Sequence, residues 1–503
     1  MSLDEAAIAA NRFGLGARPG DLAAIAGDPR GWLKAQLTPE TALPAPMMRL
    51  PSTAAASGEF TKWLVSLGIG AGGDPGKLAA LYRNGGKPAD MSGAGGGAMA
   101  GASSGGGNMA AGAAQPLSVE QSYVKYFSAG YADAVQARFQ TAVASERPFF
   151  ERLSRFWANH FTVSAAKPEI ITLAPVFERD VVRPHVTGLF AEMLLASCRH
   201  PAMLEYLDNY LSIGPNSPLA HNPQYLPKYL RDRMTGLNEN LGRELLELHT
   251  LGVRSGYTQT DVTNLAKIIT GWSLYGPNQA RGNDLFHFVD FAHEPGPQTL
   301  LFKTYPDTGE AQGVAALVDL ANHPATAHHL AAKLARHFIA DDPPPAAVDR
   351  IAAAYSGSGG DLAKTAAAVV DSPEAWAPQA AKLKTPDEYL VSSARALGGL
   401  PLTGEQIVAL LDRMGQRPYW PPGPDGWPDI QDGWIAADAV WKRLEWATAL
   451  SQRLAAANMD PTTLAEASLG PGLTPATRQA IHAAESPAQG LAIFLVSSDF
   501  QRR

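Results

Sequence analysis

Between Asn238 and Trp272 the chain reads NENLGRELLELHTLGVRSGYTQTDVTNLAKIITGW, and here side chains able to move protons or hold charge are densest. Glu244 and Glu247 stand three residues apart, the spacing of paired acids on one helical face, and Tyr257 follows as a candidate acid. Asn159 and Arg243 could hold or neutralise a carboxylate, with His160 or Glu244 as the base. Four further clusters have similar chemistry: Asn159-His160, the run from His200 to Asp208 and Asn209, His293-Glu294, and Lys333 with Arg336 and His337. The candidate set is therefore His160, Glu244, Glu247 and Tyr257 for catalysis. Asn159, His200, Asp208, Asn238, Arg243 and Trp427 are the candidates for substrate binding.

Each has a plain alternative. Arg243 and Glu247 have the i,i+4 spacing of an ordinary helical ion pair. His160 closes a helix, where a histidine can serve as a cation facing the last carbonyls. His249 lies five residues after Glu244, off the spacing by which helical metal ligands share a face. HExxH and the Glu-x-x-His pair of di-iron bundles are absent, so a metal site would have to assemble from distant segments. The GxSxG match at Gly101–Gly105 sits in a glycine-rich stretch with no strand or helix around it, and carries no nucleophile. Cys198 is the single cysteine. It is expected as a buried apolar thiol and leaves the redox compartment open.

The elements that must position these groups are helical. Leu241, Leu245 and Leu248 recur at helical spacing beside the ionic face, Gly252 is a natural C-terminal stop, and Thr258 with Asp261 forms a capping box for the next helix. Ser118 with Gln121, Thr385 with Glu388, and Thr403 with Gln406 repeat that signal. Pro148, Pro461 and Pro475 fill tolerated first-turn positions. The one β signal is Leu285–Phe291 and Thr299–Phe302, read as a hairpin across AHEPGPQ. The fold class expected is all-α, a large helical bundle or α/α toroid, with one small β-hairpin near 284–303.

The chain has 503 residues, enough for a large core, and no fixed-period repeat. Residues 1–90 read as the N-terminal helical part of the main domain and 117–503 as its bulk. Between them, 91–116 is a Gly/Ala/Ser-rich insertion too poor in apolar side chains to offset the entropy of ordering. Lys plus Arg number 41 against 48 acids, a net charge of −7 that argues against a general nucleic-acid binder. No apolar run of about 18 residues suggests a membrane span. No secretion signal is visible at the start.

RFGLGARPGD, FWANHFTVS, HPAMLEYLDNYLSIGPNSP, the NENLGRELLELHTLGVRSGYTQTDV stretch with TGW, HEPGPQTLLF, KLARHFIADDPP, KLKTPDEYLVSSARALG and GPDGWPD together resemble the large bacterial family catalogued as domain of unknown function 1800. The resemblance spans nearly the whole chain. It implies a protein whose relatives are often exported, frequently with a twin-arginine signal, and often stand beside a sulfatase-like partner family. Among those relatives Phe commonly replaces His249.

The function expected is acid/base hydrolysis or lyase chemistry on a polar polymer such as a polysaccharide, with Trp157, Trp272, Trp420, Trp427 and Trp434 as aromatic surfaces and Trp157 and Trp272 assigned to the core. A metal-dependent hydrolase or oxygenase, with a divalent metal as cofactor, is one alternative. A non-catalytic export-linked scaffold is the other.

Overall fold

A computed structural model of the chain describes residues 3–68, 118–225, 231, 236–253, 255–275, 284–457 and 459–503. The glycine-rich insertion at 91–116 lies outside these described residues. The expected class holds: among the described residues the chain is helical apart from two antiparallel strand pairs, and none of its helices is long and apolar enough to cross a membrane.

The elements that build or brace the site are α1 (Val119–Ala144), α2 (Pro148–His160), α3 (Pro201–Tyr206), α4 (Asn240–Glu244), α5 (Gln259–Ile268), β1 (Trp272–Leu274), β2 (Phe286–Phe288), β3 (Gln298–Leu300), β4 (Lys303–Tyr305), α6 (Glu310–Ala321), α7 (Pro324–Phe338), α8 (Pro386–Ala396), α9 (Gly404–Arg413) and α10 (Ala437–Arg453). Their starts follow local rules. Reciprocal capping boxes open α1 at Ser118, α5 at Thr258, α8 at Thr385 and α9 at Thr403, and Pro148 occupies the first turn of α2. Each cap satisfies orphan amide hydrogens and contributes about 1 kcal/mol.

Among the described residues two large apolar cores form, beside a small cluster of Ile213, Leu219 and Ala292. The larger gathers Phe13, Phe149, Trp157, Leu194, Leu265, Trp272 and Phe338. The second gathers Trp63, Phe127, Phe139, Tyr389, Leu411, Trp446 and Phe494. Tyr419 packs against both, which places the segment after α9 at their junction. Cys198 is buried as expected, and desolvation pushes its thiol up to about 12.

Three local expectations are corrected. The aromatic runs on either side of AHEPGPQ do not pair with each other. β2 instead pairs with β1, Trp272 opposite Phe288, and β3 pairs with β4. The joint is tied down elsewhere: Glu294 accepts from the Asn216 backbone at 2.8 Å and side chain at 2.6 Å, and its own amide donates to Thr270 Oγ1 at 2.8 Å. Second, α4 does not run on as an α-helix to Gly252. Residues Leu245–His249 form a π turn, whose extra residue rotates Leu246 and His249 into the core and leaves Leu248 half-buried. Gly252 does take the left-handed conformation, φ 86°. Third, Arg243 pairs with Glu239 at 3.0 Å rather than with Glu247.

The packing of α6 on β1 gives a first prediction. A Cβ on Gly313 would lie 2.6 Å from the fully buried indole of Trp272. Gly313→Ala is therefore expected to destabilise the protein by about 1–3 kcal/mol through overpacking. Denaturant melts check this; an unchanged midpoint would show that the indole has room to shift.

Candidate functional site: a carboxylate face and a charged cavity

The C-terminal end of α2 is the hinge of the site. Its residues Arg152, Arg155, Phe156 and Asn159 share one face at helical spacing, and all four line a cavity of ≈ 120 Å³. Asn159 fixes the loop above it. Its Nδ2 donates to the Trp427 carbonyl at 3.0 Å, and its Oδ1 accepts from the Trp427 amide at 2.8 Å. Gly426 passes so close that a Cβ there would lie 2.6 Å from the Asn159 carbonyl, and its φ is 82°. Only glycine meets both demands. The loop thus presents Asp425 and Trp427 at a position set by a side chain more than 260 residues away.

On one side of this loop lies a face rich in carboxylates. Glu244 and Glu247, at the end of α4 and in the π turn, stay partly exposed. Burial, then the nearby charges of Glu247 and Asp425, raise the Glu244 carboxyl above its ordinary value, against the opposing pull of Arg243. Tyr206, at the end of α3, is pushed up to about 12 by burial, with Glu244 and Asp425 adding to it. Tyr257 is raised by burial and by Glu247. From α7, Lys333 feels the attraction of Asp429 and Asp425 while burial lowers its pKa. Asp425, which the sequence reading did not single out, is an exposed carboxylate whose charge acts on Glu244, Tyr206 and Lys333. Among the described residues, neither Glu244 nor Glu247 takes part in a salt bridge of 4.0 Å or less.

Behind the loop is the cavity. Its wall carries five cationic side chains, Arg138, Arg152, Arg155, Lys382 and Arg503, against four carboxylates, Glu178, Asp387, Glu388 and Asp429. Most are paired. Glu388 joins Arg152 and, at 3.0 Å, Arg503; Arg138 holds Glu178 at 2.8 Å; Lys382 bonds Asp341 outside the cavity.

The other predicted site residues fall elsewhere. His160 is 2 % exposed; its ring packs among Trp157, Phe161, Phe190 and His249, and its Nε2 meets the His249 carbonyl at 3.1 Å. Desolvation, followed by Lys333, holds its pKa well below the ordinary value, so the ring is a neutral core group. His200 caps α3 through the Ala202 amide at 3.1 Å and meets Thr53 at 3.3 Å. Its surroundings are those of a helix start rather than of the carboxylate face. Asp208 is paired with Lys167 at 2.7 Å, and Asn238 accepts from the Asn240 amide at 2.9 Å. The charges of Arg243 and Glu247 act on Glu244, and those of Glu247, Arg243 and Glu244 on Tyr257. Trp157 and Trp272 are core residues as expected, but Trp420 and Trp434 are buried too, which leaves Trp427 as the partly exposed ring at the site. Among the described residues, no group of three or more His, Cys, Asp or Glu side chains is placed to share one metal ion.

A family model described as protein of unknown function (DUF1800) matches residues 8–502. Neither the curated proteins nor the solved structures yield a match.

Proposed function

The chain belongs to the DUF1800 family, and from the geometry of its site we propose that it is a hydrolase or lyase acting by acid/base chemistry on a polar polymer, a polysaccharide being the best fit. The observation that carries this reading is Glu244: a partly buried carboxyl with no ion-pair partner among the described residues, beside Glu247 and Asp425 and raised above its usual range. Two carboxyl groups whose environments differ are what protonation of a leaving oxygen and activation of a water or a nucleophile require. Glu244 is the general acid in this scheme, and Asp425 or Glu247 the second carboxylate. Tyr206 and Tyr257 stay protonated near neutral pH and can donate hydrogen bonds, while Trp427 offers a ring against a sugar face.

Exposure of the purified protein to a panel of neutral, uronate-bearing and sulfated polysaccharides, with reducing ends and the absorbance of unsaturated uronate products measured, tests the proposal. Turnover in one class, abolished by Asp425→Asn in a protein of unchanged fold, is the expected result. An inactive wild type across the panel would favour the scaffold reading, in which the ionic networks around Glu388 serve to specify helix packing.

A further inference from the structure

The wall of the cavity behind the Asp425 loop holds a guanidinium whose hydrogen bonds the protein itself leaves unmade. The side chain of Arg155 is only 9 % exposed, and its nearest carboxylate, Asp387, stands 3.5 Å from Nε and is shared with Arg138 at 3.4 Å. Neither Nε nor Nη2 of Arg155 makes a hydrogen bond. These two atoms form one edge of the guanidinium, the edge whose parallel N–H bonds receive two oxygens of one anion. Burying a guanidinium without full hydrogen bonding is costly.

Two more polar atoms of the same wall lack partners: the hydroxyl of Tyr419 and Nε2 of His337. The backbone of Tyr419 is in the left-handed region, φ 55°, an unfavourable conformation for an aromatic residue. It holds the ring over the Arg138 guanidinium at 5.5 Å. Local strain of this kind persists where surrounding structure fixes a side chain for a purpose. Burial keeps the phenol protonated, its pKa well above the ordinary value, and leaves it a donor.

We propose that this cavity binds a small oxyanion, gripped by the Nε/Nη2 edge of Arg155 and the hydroxyl of Tyr419. A ligand here must accept hydrogen bonds from at least three donors and offer two oxygens of one group to the parallel N–H bonds of the guanidinium edge. A phosphate, a sulfate or a carboxylate does both, and a neutral hydroxylated molecule does only the first. The volume of ≈ 120 Å³ suits one such group with a water or two. The source is either a free inorganic anion or the charged substituent of a larger molecule. This site rests on different side chains from the carboxylate face and stands whether or not the chain cleaves a polymer.

The test is calorimetric titration of the full chain, in chloride buffer at fixed ionic strength, with inorganic phosphate, inorganic sulfate, sodium glucuronate and glucose in turn. Saturable binding of at least one anion and none of glucose is expected. Arg155→Gln should weaken it roughly 100-fold and Tyr419→Phe roughly tenfold. Binding of phosphate or sulfate identifies a free-anion site; binding of glucuronate alone identifies a pocket for a charged sugar substituent. No saturable anion binding by wild type, or binding unchanged in both variants, would overturn the proposal. The Tyr419→Phe variant alters one hydroxyl and keeps the test decisive should Arg155→Gln fail to fold.

Discussion

Glu388→Gln should lower stability by about 3–5 kcal/mol or more, the usual consequence of breaking a buried ion pair and leaving its cations behind. Glu388 is 7 % exposed. One carboxylate oxygen meets Arg152, and the other accepts from Arg503 at 3.0 Å and from the Thr385 amide at 2.9 Å. Arg152 also donates to the Gly14 carbonyl at 2.7 Å and Arg503 to the His337 carbonyl at 2.6 Å. One side chain thus ties the N-terminal segment, α2, α7, α8 and the end of the chain together. A glutamine keeps the shape and can still accept from Thr385, but two guanidinium groups, each at most 4 % exposed, would face a neutral amide.

The pH dependence of that loss follows from sign. Burial works to raise the Glu388 carboxyl, yet Arg152 and Arg503 hold it well below the ordinary value. A depressed folded pKa contributes stability that is fully present above the unfolded value of about 4.3 and is lost as pH falls through the folded one. The gap between wild type and Glu388→Gln should therefore be constant near neutrality and narrow only below about pH 4. Arg152→Met, added to Glu388→Gln, should recover part of the loss by removing one stranded charge. Chemical denaturation of wild type, Glu388→Gln, Arg152→Met and the double variant provides the measurement. A single variant within 0.5 kcal/mol of wild type, on the order of a neutral surface change, would mean that the network relaxes around the glutamine.

What was legible in the sequence was local. The capping boxes at Ser118, Thr258, Thr385 and Thr403, the proline at the start of α2 and the stop at Gly252 each depend on residues within a turn of one another, and each formed. Strand partners depend on the rest of the fold. Phe286–Phe288 found Trp272–Leu274 because the joint after it was fastened to Asn216 and Thr270, and no local pattern shows that fastening. The π turn at Leu245–His249 escaped for a related reason: one extra residue in a turn leaves composition unchanged and shifts only the phase. At the site, Glu244, Glu247, Arg243 and Tyr257 are close in sequence and act on one another through their charges. Asp425, whose charge acts on Glu244, stands on a loop that Asn159 and Gly426 fix. The cavity wall draws on residues from Leu15 to Arg503, but one of its strips could have been found earlier. Arg152, Arg155 and Asn159 recur at three- and four-residue steps along one face of a helix that is otherwise largely buried, a polar stripe that points to buried partners or to a ligand.

Glu244→Gln should leave the fold intact and remove turnover on the polymer that the wild type cleaves, by roughly 10²–10⁴-fold if Glu244 is the general acid. A structural carboxylate would behave in the opposite way, since its removal strands a cation. Among the described residues Glu244 has no such cation: Arg243, the adjacent candidate, is engaged by Glu239 at 3.0 Å and by Gln259 at 3.3 Å. The carboxyl is raised by burial, by Glu247 and by Asp425, so its ionised form is the one the folded state disfavours. A raised folded pKa contributes stability that is present below the unfolded value of about 4.3 and disappears as pH rises through the folded one. At neutral pH wild type has lost that contribution, and glutamine, which cannot ionise, escapes the unfavourable charge. Glu244→Gln is accordingly expected to melt at the same temperature as wild type or slightly higher at pH 7, with any advantage shrinking toward pH 4. In the activity profile, the basic limb of wild-type kcat/KM should report the Glu244 carboxyl, and the variant should lack that limb in whatever activity remains. Thermal melts across pH and turnover on the active polymer decide together. A variant that melts well below wild type at pH 7 would assign Glu244 to the framework. One that melts normally and turns over at the wild-type rate would move the acid role to Glu247 or Asp425.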